Sequence, residues 1–100
     1  MADDSVTVRV TDNESQHRYE AYVDHTLAAF VTYERIPGGI TFIHTETEPG
    51  YEGRGVASRL AEAALDDARS RSLRVTPLCP FIAAYIDRHP AYADLLDHSS

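Results

Sequence analysis

The chain has 100 residues, of which 43% are hydrophobic and 25% are charged, and these values predict one globular domain over residues 1–100. The formal net charge of −7 argues against non-specific nucleic-acid binding, which needs Lys and Arg to neutralise phosphates. No apolar run approaches the roughly 20 residues that cross a bilayer, and the acidic N-terminus does not resemble a signal peptide. The single cysteine forms no internal disulfide, so the composition predicts a cytoplasmic protein without membrane attachment.

The first half of the chain predicts an antiparallel meander. Val6, Val8 and Val10 alternate with polar residues, which is the period of a half-buried strand. Short turns rich in Asp, Asn, Pro and Gly separate the segments that follow, and such turns join antiparallel neighbours. The four predicted strands cover residues 6–10, 18–23, 27–35 and about 40–45.

The second half predicts two helices with a strand between them. Small and apolar residues recur at the helical spacing from Ala57 to Ala68, whereas the opposite face is charged, with Asp67 and Arg71 spaced to pair across one turn. Residues 73–78 predict a fifth strand. Pro80 suits the first turn of a second helix over residues 81–88, and a short element over residues 92–96 follows.

The order of these elements predicts an α/β (α+β) fold, with a mixed sheet of about five strands. A strand, a helix and a strand in succession predict a crossover that makes the fourth and fifth strands parallel. Alternation puts Ile40, Phe42 and His44 on one face of the fourth strand, and Cys79 closes the fifth strand. Because ligands of open α/β sheets bind beyond the carboxyl ends of the strands, we expect His44, Cys79 and the intervening loop to converge there.

A glycine-rich turn before the long helix is the strongest local motif. Glycines one residue apart let the backbone approach a ligand, and the amide groups of a helix start favour a phosphate or pyrophosphate. No Gly-Lys-Ser/Thr follows, which excludes a P-loop, and the acidic residue expected in a dinucleotide-binding fingerprint is missing. The predicted phosphate-binding residues are Gly53, Arg54, Gly55, Val56, Ala57 and Ser58.

Cys79 and His44 are the candidate catalytic residues. A helix start after Cys79 stabilises its thiolate, and His44 is the histidine that the topology places nearby as a base. The alternatives are that Cys79 is a small buried hydrophobe and that His44 is held under the sheet edge by a backbone hydrogen bond. Tyr85 is interpreted as a core residue rather than a proton donor. The spacing of Cys and His predicts no metal site.

These motifs resemble those of a known family. The run Glu-Gly-Arg-Gly-Val-Ala at residues 52–57 is similar to the Gln/Arg-x-x-Gly-x-Gly/Ala signature of GNAT acetyltransferases, with Glu52 where Gln or Arg is usual. With His-Thr-Glu at 44–46 and Pro-Leu-Cys-Pro-Phe at 77–81, nearly the whole chain resembles the small stand-alone GNAT-like proteins of the YidJ or NATD type. The resemblance implies a minimal GNAT sheet without the helices that normally follow the first strand. It also implies acetyl-CoA as co-substrate, with a reactive Cys79 beside His44.

Two functional hypotheses follow. The first is an acetyl-CoA-dependent N-acetyltransferase acting on an amine, with backbone N–H groups at the end of the fourth strand polarising the thioester carbonyl. Either the amine attacks directly with His44 as general base through water, or Cys79 accepts the acetyl group first, and the cysteine's position before a helix favours the second route. The alternative is a non-catalytic module that binds CoA. The acidic balance of the chain predicts a cationic amine as acceptor.

Overall fold

The computed structural model describes residues 7–96 as a mixed five-stranded sheet with two helices. The predicted fold class is confirmed, with a long helix after the fourth strand and a second helix after the fifth. Val6, predicted in the first strand, lies outside the described residues. The elements are β1 (Val8–Asn13), β2 (Arg18–Val23), β3 (Thr26–Ile36), β4 (Gly39–Thr47), α1 (Val56–Ser70), β5 (Arg74–Pro77) and α2 (Pro80–Arg88), with short 3-10 turns at Glu14–Gln16 and Pro90–Leu95.

The sheet has the strand order β1-β2-β3-β4-β5, in which β1 to β4 are antiparallel neighbours. β5 lies parallel to β4, as the crossover through α1 requires. Buried residues of both helices join those of one sheet face in a single core. We call this the helix face; within residues 7–96 no helix covers the opposite face, which we call the outer face.

A β-bulge interrupts β4. Tyr33 of β3 pairs with Phe42 and the preceding Thr32 pairs with His44, so that Ile43 has no partner in the register. One extra residue on one strand of an antiparallel pair shifts the alternation of its side chains from that point on. The faces on which the later residues of β4 lie are therefore the reverse of those expected from an unbroken strand.

The bulge corrects the prediction that Ile40, Phe42 and His44 share one face. Thr45 is opposite Val31, which is fully buried on the helix face, so Thr45 continues the face of Ile40 and Phe42. His44 instead lies on the outer face, with 59% of its side chain exposed. Simple alternation failed here because it assumes that the strand has no inserted residue.

Tyrosine–aspartate hydrogen bonds fasten α1 and β1 to the middle of the sheet. The Tyr19 hydroxyl donates to Asp67 of α1 at 2.6 Å, and the Tyr33 hydroxyl donates to Asp12 of β1. The Arg71 guanidinium pairs with Asp67 at 2.9 Å, which confirms the predicted pair across one turn. Burial, and then the hydrogen bond to a carboxylate, raises the pKa of both Tyr19 and Tyr33.

These raised pKa values predict that alkaline pH destabilises the fold. Below about pH 10 a tyrosine is protonated in both the folded and the unfolded chain, whereas above it the unfolded chain releases a proton that the folded chain retains. The free energy of unfolding should therefore fall above about pH 10, by up to about 1.4 kcal/mol per pH unit for each such tyrosine. Urea unfolding of wild type and of a Tyr19→Phe/Tyr33→Phe variant between pH 8 and pH 11 measures this. An equally steep decline in both proteins would contradict the prediction.

Candidate active site

The glycine turn adopts the backbone that only glycine takes without strain. Gly53 has φ +76° and Gly55 has φ +79°, both in the left-handed region. Gly55 is the N-cap of α1, and its carbonyl accepts the helical hydrogen bond from the Arg59 N–H at 3.1 Å. No acidic side chain lies in the first turn of α1. The start of this 15-residue helix therefore has unpaired backbone N–H groups and the positive end of the helix dipole, and both favour the binding of an anion.

A cavity of about 180 Å³ lies against this turn. It includes most of the predicted phosphate-binding residues, but Arg54 is not among those that form its wall. The Arg54 guanidinium instead lies 6.0 Å from the centre of the Tyr51 ring and 3.5 Å from the Gly50 carbonyl. The lining residues are Thr47, Tyr51, Glu52, Gly53, Gly55, Val56, Ala57, Ser58 and Phe81.

Four of these lining residues were not among the predicted phosphate-binding residues: Thr47, Tyr51, Phe81 and Glu52, of which Glu52 begins the glycine motif itself. Thr47 reaches the cavity because the bulge moves the end of β4 onto the helix face. Phe81, from the first turn of α2, closes the cavity from the side of the second helix. Tyr51 directly precedes the glycine motif. An aromatic residue next to a turn was the only feature of the sequence that could have indicated that Tyr51 lines the cavity. The cavity thus joins the end of β4, the start of α1 and the start of α2.

A larger cavity of about 470 Å³ lies between β1 and α1, away from the glycine turn. It is bordered by Asp12, Tyr19, Asp67 and Arg71, the same side chains that form the tyrosine–aspartate contacts. These polar side chains already form hydrogen bonds and ion pairs with one another, so none of them is left to bind a ligand. We therefore do not choose this cavity as the candidate site, although it is larger. The smaller cavity lies at the start of α1, the end of a helix that favours an anionic ligand.

The strands β4 and β5 separate beside the smaller cavity, at a point that we call the fork. Their pairing runs from Gly39–Arg74 to Phe42–Pro77, whereas β4 continues to Thr47. Cys79 bridges the fork, because its N–H donates to the Phe42 carbonyl at 2.9 Å. Beyond Phe42, the side of β4 that faces β5 has no strand partner within residues 7–96. Its backbone is free to pair with an extended ligand there.

Cys79 is buried at the fork, with 2% of the residue exposed. Its Sγ lies 3.0 Å from Oγ1 of Thr45, a contact in which either group can donate the hydrogen. This partner was not predicted, because it depends on the bulge that turns Thr45 toward the helix face. The thiol is therefore a core atom with a single hydroxyl neighbour rather than an exposed nucleophile.

His44 occupies the outer face of the same strand. Its Nε2 lies 3.1 Å from Oε2 of Glu46, and more than half of each side chain is exposed. Cys79 therefore lies beside Thr45, the residue that follows His44, and not beside His44 itself. Successive residues of a strand point to opposite faces, so the side chains of His44 and Cys79 lie on opposite sides of the sheet. The fork has a thiol–hydroxyl pair on its helix face and a histidine–carboxylate pair on its outer face.

Tyr85 is a core residue, as the sequence interpretation held. It is 7% exposed, belongs to the hydrophobic core and stacks on His89 with ring centres 4.0 Å apart. Burial, followed by the negative charges of Glu62 and Asp66, raises the pKa of its phenol.

In the described part of the chain, no three His, Cys, Asp or Glu side chains cluster as metal ligands would. Neither α1 nor α2 is long and apolar enough to span a membrane.

Comparison with known proteins assigns the chain to a family. The sequence model of the GCN5-related N-acetyl-transferase family matches residues 18–95, and the chain belongs to this family. It is 36% identical to Protein NATD1 of Homo sapiens and of Gallus gallus over 63 residues, which are 62% of this chain. That match spans 56% and 57% of those relatives, respectively. Protein NATD1 of Xenopus tropicalis is 28% identical over 91 residues, covering 88% of this chain and 83% of the relative.

Solved structures share the fold. A GCN5-like protein from Staphylococcus aureus, known from its solution structure, superposes with a TM-score of 0.67 at 18% identity, covering 96% of this chain and 92% of the other. A ribosomal-protein-alanine N-acetyltransferase from Brucella melitensis superposes with a TM-score of 0.57 at 21% identity, over 83% of this chain and 62% of the other. At these identities the likeness concerns the fold alone.

The left-handed backbone of the turn makes Gly55 sensitive to any side chain. A Cβ at Gly55 would meet no atom within 4 Å, so the cost of Gly55→Ala arises from its φ alone. We expect the free energy of unfolding to fall by about 1 to 2 kcal/mol, measured by chemical denaturation. Ser58→Ala, inside the first turn of α1, is the control and should leave stability within about 0.5 kcal/mol of wild type. Equal stability of Gly55→Ala and wild type would show that the turn tolerates a side chain.

Proposed function

We propose that the protein transfers the acetyl group of acetyl-CoA to an amine, and that the transfer occurs at the fork. The observation that carries the proposal is the cavity that connects the start of α1 to the unpaired end of β4. One ligand with an anionic end and an extended thioester arm fits this arrangement. Membership of the acetyltransferase family supports acetyl transfer in general.

The diphosphate of CoA would bind at the start of α1. Gly55, Val56, Ala57 and Ser58 at the start of α1 line the cavity, and a helix start favours negative charge. Glu52 opposes this attraction, because its carboxylate also lines the cavity. Arg54 lies beside the turn and offsets part of that charge. The site therefore depends on backbone groups more than on side-chain cations.

The thioester arm would extend along the unpaired side of β4. Backbone N–H groups beyond Phe42 would polarise the thioester carbonyl, as an oxyanion hole does. Thr45, on the helix face and in contact with Cys79, would line the position of the thioester sulfur. His44, polarised by Glu46 on the outer face, would accept a proton from the attacking amine, directly or through water.

We favour direct attack by the amine over an acetyl-cysteine intermediate. The Cys79 thiol is 2% exposed and contacts Thr45, whereas His44 lies on the other face of the sheet. A nucleophilic thiol needs an adjacent base and access to the carbonyl carbon, and the structure gives this thiol a hydroxyl neighbour instead. In this proposal the partly exposed hydroxyl of Thr45 faces the departing thiolate, and Cys79 contacts that hydroxyl from the core.

Mass spectrometry separates the two routes, because the chain has nine arginines and no lysine. An acetyl group retained by the protein can therefore reside on Cys79, on a histidine, on the chain terminus or on a hydroxyl, but not on a lysine. We expect thiol release from acetyl-CoA with an amine panel, no acetyl adduct on Cys79 under quenched turnover, and partial activity in Cys79→Ala. An acetyl-Cys79 peptide that disappears when amine is added would establish the covalent route. CoA binding without transfer to any amine would favour the non-catalytic module.

His44 should be the proton acceptor for the amine. We expect His44→Asn to lower kcat/KM by about 100-fold or more near neutral pH, since general-base catalysis contributes about that much. CoA affinity should stay unchanged, because His44 does not line the CoA cavity. The matched control is His25→Asn, an exposed histidine with φ +69° in the β2–β3 turn, a backbone that Asn tolerates. Equal activity of the two variants would remove His44 from the mechanism.

Glu52 should weaken CoA binding. Removing its charge in Glu52→Gln leaves the shape of the cavity nearly unchanged and removes repulsion of the diphosphate. We expect CoA to bind roughly two- to five-fold more tightly, the range of exposed charge pairs, with the gain shrinking as salt rises. Calorimetry measures it, with Glu62→Gln on the exposed face of α1 as control. An unchanged affinity in Glu52→Gln would place the diphosphate elsewhere.

A further inference from the structure

Within residues 7–96, three large apolar side chains are strongly exposed, and two of them lie at the fork. Leu78 is 66% exposed and Ile43 is 44% exposed, whereas Ile36, at 49%, is the last residue of β3, at the opposite end of the β4–β5 pairing. Single exposed apolar residues are ordinary on protein surfaces. Two that flank the opening of a candidate active site form a patch that a ligand can cover.

The register places these two residues at the same end of the β4–β5 pairing. Phe42 and Pro77 form its last pair; Ile43 follows Phe42 on β4, and Leu78 follows Pro77 just beyond the end of β5. Ile43 is the bulged residue, so its side chain is not fixed opposite a residue of β3. We call Ile43 and Leu78 the apolar rim of the fork.

Negative charge follows the apolar rim along the outer face. Glu46 is three residues beyond Ile43, within about 10 Å along an extended strand. Its carboxylate is 57% exposed and contacts His44, the proposed proton acceptor. An ammonium group held by Glu46 would therefore stand next to both the base and the apolar rim. The net charge of −7 adds a long-range attraction for such a cation.

We propose that the acceptor is a primary amine that bears an apolar group, with its ammonium at Glu46 and its apolar group on Ile43 and Leu78. This inference rests on the proposed function, because it assumes that the fork is where transfer occurs. It selects among cationic amines: a branched alkylamine or arylalkylamine satisfies both the charge and the apolar rim. A polyhydroxylated amine or a polyamine satisfies only the charge, and would leave the apolar rim in water.

Matched acceptors and matched variants test the proposal. In wild type, 3-methylbutylamine should have a kcat/KM about ten-fold or more above that of ethanolamine, the order expected for covering a few methylene groups. Leu78→Ser and Ile43→Ser should abolish that preference, so that 3-methylbutylamine is acetylated with no higher kcat/KM than ethanolamine by the same variant. Ile36→Ser, which changes the remaining exposed apolar residue, should behave as wild type. All three positions are strongly exposed, so the variants should fold.

Binding is measured separately from turnover. Addition of 3-methylbutylamine to the CoA complex should shift the methyl NMR signals of Ile43 and Leu78 but not of Ile36. Equal rates for the two amines, or no shift at the apolar rim, would overturn the inference while leaving acetyl transfer intact. Methyl shifts without acetylation of any amine would support the apolar rim as a binding surface and overturn the proposed function.

Discussion

The single extra residue in β4 decides how the chemical groups of this chain are distributed. Because Ile43 has no partner on β3, the strand regains its pairing with its faces exchanged. Thr45 then faces the core beside Cys79, and His44 faces outward beside Glu46. An unbroken strand would place His44 on the helix face instead. The two sides of the fork, a thiol–hydroxyl pair and a histidine–carboxylate pair, follow from this one backbone irregularity.

The short length of β5 creates the opening that these groups surround. Pro77 ends the strand, since proline has no N–H to continue the ladder, and Pro80 begins α2 after Cys79. β4 continues alone beyond Phe42, which leaves its backbone available to an extended ligand. Phe81 then closes the cavity against the glycine turn. The opening thus results from two prolines: Pro77 ends β5, and Pro80 begins α2 three residues later.

The anion-binding end of the site combines attraction and repulsion. Gly53 and Gly55 hold left-handed backbone that exposes the amides of α1, while Glu52 lines the same cavity with negative charge. The hydrogen bonds of Tyr19 and Tyr33 to aspartates tie α1 and β1 to the sheet, and so fix the direction of the helix start relative to β4. In the proposed function, CoA binding would therefore depend mainly on the placement of the backbone, with a smaller contribution from side-chain charge.

The sequence by itself determined the elements, their order and the glycine turn, because each follows from local properties. These are the period-two and period-3.6 spacing of apolar residues, and the left-handed φ of Gly53 and Gly55, which glycine adopts without strain. It also separated Tyr85, on an apolar helix face, from the candidate chemistry. Only the tertiary structure decided that Thr45 rather than His44 contacts Cys79, and that Thr47 and Phe81 line the cavity. These facts depend on the register between β3 and β4 and on how α2 leaves β5. The register and the position of α2 are both set by packing between segments that are distant along the chain, and the spacing of residues within one segment does not reveal such packing.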